Sequence, residues 1–471
     1  MDNMAQWGVT RYEKKQIINK FGDGINVGLP GFDIKENELT YVSNMGSQDY
    51  PAISSRYGRT LFSSSTDFTP LGTPLGIGER DNSQLHAVDG NTWKYWTGTA
   101  WSNLTTTLSS TEAEIKDFAT GTARYTLLMN STQKLYWDGS STALVLGDAN
   151  TPFTKIFTIH RGRIYAASNN AIKYSALNLI NDWTTINDAG SIVITNARGN
   201  ITGLCEYNGH VIAFTEYGMH ELYGDDPANF ELVDIEGEIG CISDRSIVKC
   251  NQKLYWAWID GIYEYNGASP VKVSLPVDTY MKGVSYANRA KIVAGSIGDF
   301  LYISIPNGAS SNNIVLVYDT TNKKWFTETG SFNDFVTMQN ALYGLDSAGA
   351  INSMRSTNYS DNSTAISWEL ITKPFNAGSV SQKKTLSDLS LIYSGEATAT
   401  MNVGYNTSVS STTFTGLAVT TDFTLDGVEH NKKLLIPTTD LQNVDWFKLQ
   451  IKGSGKTTIH ALETNYRVKR R

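Results

Sequence analysis

The sequence predicts an all-β protein: a β-propeller of about seven four-stranded blades, with an extended N-terminal arm before it and a C-terminal β-sandwich of jelly-roll type after it. Three observations carry this reading. Few stretches place apolar residues at three- and four-residue spacing, so helical signals are scarce. Short runs of Ile, Val, Tyr, Trp and Phe are punctuated by Asn-Gly, Asp-Gly and Tyr-Gly pairs, the pattern of strands joined by tight turns. These runs recur along the chain and then lose their repeat near residue 380.

The repeat is clearest in three segments: "QLHAVDGNTWKYWTGTAWSNL" from Gln84, "RYTLLMNSTQKLYWDGSSTALVL" from Arg124 and "KLYWAWIDGIYEYNGASPVKV" from Lys253. Each reads as strand, tight turn, aromatic strand, Gly-containing turn, strand. Four looser copies share the outline. Taking Leu85, Leu127, Ile164, Val211, Leu254, Leu301 and Leu342 as equivalent positions gives a spacing of roughly 37 to 47 residues, as propeller blades require. An apolar run before most copies, such as "ITGLCEYNG" ahead of His210, supplies the fourth strand. A four-stranded twisted sheet cannot bury both faces alone, and packing blades around an axis solves this.

Residues 61–379 are therefore assigned to the propeller. Residues 1–60, with "FGDGINVGLPGFDIKENELTYVSNM", read as an arm that closes a blade or reaches a neighbouring subunit. Residues 380–471 alternate clearly, are rich in Ser and Thr, and read as the sandwich.

"KGSGKTT", from Lys452 to Thr458, resembles a phosphate-binding loop but fails its requirements. The G-x-x-x-x-G-K-[ST] pattern needs a first glycine where this chain has Gln450, and a helix where Thr457, Thr458 and Ile459 favour a strand. The residues predict a β-hairpin turning at Gly453-Ser454-Gly455-Lys456. No nucleotide cofactor is expected.

Composition narrows the function further. The chain has 471 residues, more than one growing core accommodates, so several domains are expected. Asp plus Glu exceeds Lys plus Arg, 46 to 39, for a net charge of −7, which argues against a broad basic nucleic-acid-binding face. Cys205, Cys241 and Cys250 have no C-x-x-C spacing, so no disulfide framework is expected. The start "MDNMAQWGVTRYEKKQ" lacks the apolar core of a secretory signal, and no apolar run is long enough to span a bilayer. A soluble chain made in a cytoplasm is the expectation.

Candidate chemistry is sparse. His86, His160, His210, His220, His430 and His460 form no H-E-x-x-H or Cys–His pattern, so no metal site is expected. Asp225-Asp226 and Glu236/Glu238 offer the paired carboxylates of a glycosidase, although loop charges of this kind are commonly solvated. "HAVDGNTW" ending at Trp93 approaches the S-x-D-x-G-x-x-W box of sialidase-type propellers but is out of register, and "DDPANFE" lacks the glycine of a Ca²⁺ loop. Trp93, Trp96, Trp101, Trp137, Trp256 and Trp258 lie in the blades, where they stack on sugars if exposed and pack blade on blade if buried. No catalytic, cofactor-binding or metal-binding residue is assigned.

One family resemblance spans most of the chain. It is carried by "IINKFGDGINVG", "FDIKENELTYVSNM" and "GRTLF" near the start, the propeller repeats with Tyr-Asn-Gly turns, and "KPFNAGSVSQKKTLSDLSL" and "IKGSGKTTIHALETNYRVKRR" near the end. In these features the chain resembles the β-propeller tail hub, or nozzle, proteins of tailed bacteriophages, the packaged-DNA stabilisation proteins. The resemblance implies a non-catalytic virion protein that forms a ring, typically a hexamer, below the portal and adaptor. It implies DNA passing through the channel without sequence-specific binding, and no membrane insertion. Two alternatives stand beside it: another virion part, such as a baseplate, fibre-attachment or head-decoration protein, and a carbohydrate-binding propeller.

Overall fold

A computed structural model describes residues 12–62, 71–140, 142–235, 237–376, 378–379, 381–408, 412–436 and 440–468. The described residues are almost wholly strands and turns, with one α-helix, Asp278–Lys282. The chain divides into two compact units. One comprises residues 59–323 and 329–356, the other residues 1–58, 324–328 and 357–471.

The larger unit holds most of the propeller, all but most of the strand Lys324–Thr329 and Gly58. Seven four-stranded antiparallel sheets follow one another along the chain. Blade 1 shows the pattern: Pro74–Arg80, Gln84–Asp89, Thr92–Trp96 and Trp101–Thr105, each strand paired with the next. The first, innermost strands of blades 2 to 7 are Glu114–Ala119, Phe157–His160, Ile201–Tyr207, Val248–Cys250, Val293–Ile297 and Phe332–Met338. Successive inner strands touch, with blade 4 meeting blade 5 through the turn Asp244–Ser246. The inner strand of blade 7 returns against that of blade 1, so the ring closes.

All seven repeat positions taken from the sequence fall in the second strand of a blade, and all are buried. The apolar clusters explain why. Each joins two consecutive blades, as where Val88, Trp93 and Leu104 of blade 1 meet Ile115, Leu128 and Trp137 of blade 2. Ile77, Leu85 and Ala87 of blade 1 likewise meet Met338, Leu345 and Ile351 of blade 7. The ring is drawn together by the same packing that the repeats encode.

The last blade is completed from far away in sequence. Its strands Phe332–Met338, Ala341–Asp346 and Ile351–Ser356 take Gly58–Leu61 as the fourth. Phe62 N donates to Ile351 O at 2.9 Å just beyond it.

The smaller unit is a sandwich of two sheets. One is ordered Met45–Gly46, Ile53–Ser55, Thr457–Val468, Lys384–Gly395 and Glu429–Lys433, with Tyr12–Ile18 also paired to Thr457–Val468. The other is ordered Leu39–Ser43, Ser367–Thr372, Lys448–Ser454, Thr400–Asn406 and Thr415–Ala418. Alternate residues are buried on both, including Leu389, Leu391 and Tyr393 on the first and Leu370, Leu449 and Ile451 on the second.

These units depart from the three segments read in the sequence. Of the segment read as an arm, residues 12–55 carry strands that pair with the sandwich while Gly58–Leu61 closes a blade, and the propeller ends at Ser356 rather than at 379. Backbone pairing over hundreds of residues decides both boundaries, and no local pattern reports it. The expected hairpin at Gly453–Lys456 is also corrected. Its two strands enter different sheets, so the turn at Gly455-Lys456 arches between them. Gly453, just before the arch, admits the close approach of the neighbouring strand, since a Cβ there would lie 1.8 Å from Thr400 O.

Trp93 is fully buried between blades 1 and 2. Trp93→Ala is expected to lower unfolding stability by about 3–5 kcal/mol, measured by urea denaturation. A loss below about 1 kcal/mol would mean that interblade packing is not what holds the ring.

Candidate functional site on the propeller axis

The seven inner strands bring their side chains to the axis, where sequence reasoning assigned no site. Charged residues of either sign meet there. The centrepiece is Arg245, in the turn Asp244–Ser246 that leads into blade 5. Its side chain is only 5% exposed. Nη2 donates to Leu75 O and Ala113 O, both at 2.8 Å. Nη1 lies 3.5 Å from Asn333 O. Nε lies 3.6 Å from the Asp334 carboxylate and 4.0 Å from that of Glu114. One guanidinium rooted in blade 5 thus reaches blades 7, 1 and 2.

The backbone makes room for it. A Cβ on Gly76 would meet Ala113 O at 2.2 Å and Arg245 Nη2 at 3.2 Å, so only glycine admits both neighbours. Asp334 is fixed from the other side, accepting from Ile77 N at 3.1 Å and Phe335 N at 2.9 Å. Around this core Lys116 binds Glu114 at 2.9 Å, and Lys155 bridges Glu112 at 2.7 Å and Asp244 at 3.0 Å. Lys249 pairs with Glu206. Two cavities, each of about 290 Å³, adjoin Arg245. Charged groups such as Lys116, Glu206 and Lys249 line one, and Leu75, Lys291 and Asn312 are among those lining the other.

Burial disfavours charge on each of these groups, and their neighbours decide the outcome. The Asp334 carboxyl is pushed up to about 6 by burial and by Glu114, against the pull of Arg245. Burial also raises Glu114, but Lys116 and Arg245 outweigh it and hold Glu114 below the usual carboxylate range. Burial opposes the charge on Arg245, yet Asp334, Glu112 and Glu114 raise its pKa. Glu114 and Arg245 are therefore held ionised, and Asp334 takes up its proton more readily than an ordinary carboxylate. Its charged groups are spent on one another and on backbone carbonyls, an arrangement that holds strands together.

The residues considered from sequence are dispersed. Lys456 lies 3.3 Å from Glu396 and sits over the Tyr359 ring, in a turn followed by a strand, as no phosphate loop is. His86 is wholly buried against Trp93, Tyr95 and Trp137, and burial and Arg80 lower its pKa to about 3. His210 packs at a tilt against Tyr223, His220 pairs with Asp234, His430 with Asp426, and His460 lies 3.8 Å from Glu429. His160 packs near Tyr165. Among the described residues no group of His, Cys, Asp and Glu is arranged to hold a metal ion. Burial pushes the Cys205 and Cys241 thiols up to about 12 and Cys250 to about 11, so they are held as thiols.

Asp226 caps the turn Pro227–Asn229, accepting from Ala228 N at 3.0 Å, and Asp225 pairs with Arg161. Glu238 lies 3.1 Å from Arg198, and Glu236 lies outside the described residues. Trp93, Trp137 and Trp256 are core residues. Trp96 and Trp101 are half-buried against Phe62, and Trp258 is half-buried with its Nε1 donating to Glu216 O at 3.2 Å. None of the six is an exposed stacking platform.

No protein-family model matches the chain, and no curated protein does. Similarity to solved structures is confined to the fold. Virginiamycin B lyase from Staphylococcus aureus is 10% identical, with 64% of this chain and 99% of that one covered and a TM-score of 0.44. BamB from Moraxella catarrhalis is 10% identical over 73% of this chain and 98% of its own, with a TM-score of 0.41. The computationally designed Ika8 protein is 10% identical over 64% of this chain and all of its own, with a TM-score of 0.38.

Arg245→Met would leave Asp334 and Glu114 buried without their cation. A stability loss of about 3–5 kcal/mol is expected by chemical denaturation. Asp334 gives a pH signature of known sign. Its folded pKa is raised from 3.8 to about 6, so its stabilising contribution is complete below pH 3.8 and is lost as pH rises through 6. Wild type should therefore lose stability relative to Asp334→Asn between those values, by at most about 1.4 kcal/mol per pH unit. A difference that is flat with pH would show that Asp334 titrates as an ordinary carboxylate.

Proposed function

We propose that this chain is a structural virion protein of a tailed bacteriophage that assembles into a ring, the tail nozzle, below the portal and adaptor. There it retains the packaged DNA and later conducts it, and it catalyses no reaction. The observation that carries this reading is the state of the axis. Arg245, Asp334, Glu114 and Lys116 bind the inner strands to one another, so the place where side chains from all blades converge is committed to rigidity.

Further features support it. The closed propeller and the sandwich, knit from both ends of the chain, are rigid bodies suited to a ring of copies. Ring closure needs a head-to-tail interface, which two such units offer more readily than one symmetric patch. The net charge of −7 suits a wall past which DNA slides, since each neutralised phosphate would add counterion-release affinity. The resemblance at the two ends and in the repeats points to the same role.

The test is electron cryo-microscopy of the mature particle. About six or twelve copies are expected around the tail axis below the portal. Copies at fibre tips or scattered over the capsid would rule out the nozzle while keeping a virion role. Absence from particles would rule out both.

A further inference from the structure

Blade 4 carries a groove separate from the axis. Its volume is about 580 Å³, inside the range of roughly 300–1,000 Å³ common for small-molecule sites. One wall is the connection from blade 3, with Asn196 and Arg198, and the other is the outer strand of blade 4, with Asp234. The turn that joins the second and third strands contributes Tyr217.

Two features look built. The Asp234 carboxylate is held in place by partners on two elements. His220 Nδ1, from a ring only 4% exposed, binds one oxygen, and Asn196 Nδ2 donates to the other at 3.3 Å. The Asp234 side chain is nevertheless 52% exposed, and an ionised carboxylate has lone pairs left for further donors. Tyr217, which lines the same groove, is 45% exposed, and its backbone N is tied to Arg198 O at 3.1 Å, which holds the turn that presents its ring.

The chemistry of the lining selects the ligand. Arg198 and Asp234 cancel in charge, and the guanidinium already lies 3.1 Å from Glu238, so a phosphate or sulfate finds no spare cation. The apolar floor residue Met219 is 1% exposed, so an apolar ligand finds little to cover. What remains is a neutral ligand with an apolar face for the tyrosine ring and hydroxyls for planar acceptors and donors. We propose that this groove is a saccharide-binding site. Hydroxyls donate to Asp234 and accept from Asn196 and Arg198, while the C–H face of a pyranose covers Tyr217.

This inference does not rest on the virion reading, and the two can fail separately. The experiment is saturation-transfer NMR on the full chain with D-glucose, D-galactose, D-mannose, N-acetyl-D-glucosamine, maltose and lactose. At least one sugar should receive saturation at its ring protons. Tyr217→Ala, at an exposed turn position, should keep the parental melting temperature and weaken that binding by about tenfold or more. Arg198→Ala, also exposed, is a second variant expected to weaken it. Silence from all six sugars, undiminished binding by both folded variants, or displacement of the sugar by inorganic phosphate would each overturn the proposal.

Discussion

Everything in the propeller depends on closing the ring. A twisted four-stranded sheet has two apolar faces, and a neighbour on one side covers only one of them. Blade 1 would present Ile77, Leu85 and Ala87 to water if Met338, Leu345 and Ile351 of blade 7 did not meet them. Blade 7 is itself short of a strand until Gly58–Leu61 arrives. Closure therefore couples a segment near residue 60 to one near residue 350, and blades 1 and 7 are not fully covered until both are in place. Such non-local contacts carry a loop-closure cost before they are rewarded, so late and cooperative formation of the ring follows from the topology.

Buried cations reinforce what apolar packing begins. Arg245 does so at the axis. Arg163, almost wholly buried, donates to Ser175 O at 3.0 Å and pairs with Asp188 at 2.7 Å, fastening the long connection inside blade 3. Lys134 donates to Thr151 O at 3.0 Å beyond blade 2. In the sandwich Lys373 donates to Ile34 O at 2.8 Å and Lys384 to Asp445 O at 2.6 Å. In each case an ammonium or guanidinium satisfies carbonyls that strand pairing leaves over. A buried ion pair is weak evidence for stability, but removing one partner is costly. The recurrence of the device explains how a chain so rich in loops keeps their paths fixed.

Local order was legible in the sequence and long-range order was not. The spacing of Leu85, Leu127, Ile164 and their equivalents located the second strand of each blade, because a blade repeats its own burial pattern. The tryptophans were legible only as a choice between core and sugar platform, since residue type alone does not say which face a strand buries. The pairing of Tyr12 with Val468 left no local mark, and neither did the arch at Gly455-Lys456. The axial cluster was least visible. Arg245, Glu114 and Asp334 come from three blades, and each looks like an ordinary surface charge in its own segment. The groove at blade 4 was half legible. His220 was noted, but its partner Asp234 is one of many loop-side acids until the fold sets the two together.

The filled axis also constrains how a ring of such chains could pass DNA. A cavity of about 290 Å³ lined by Arg245 and other side chains cannot admit a duplex, so in such a ring the passage would not be the propeller's own axis. In the proposed ring it would lie on the symmetry axis of the assembly, walled by outer surfaces of many copies. The protein's surface holds cations in ion pairs, as at Arg198–Glu238, Lys383–Asp445 and Lys15–Glu463. Each pair is worth little to stability. Its effect on a passing phosphate is larger, because a carboxylate already stands where the phosphate would bind and few counterions are left to release. In the proposed conduit, rigidity and a weak hold on the cargo would thus come from different places. The first comes from cations buried among backbone carbonyls, and the second from cations neutralised at the surface.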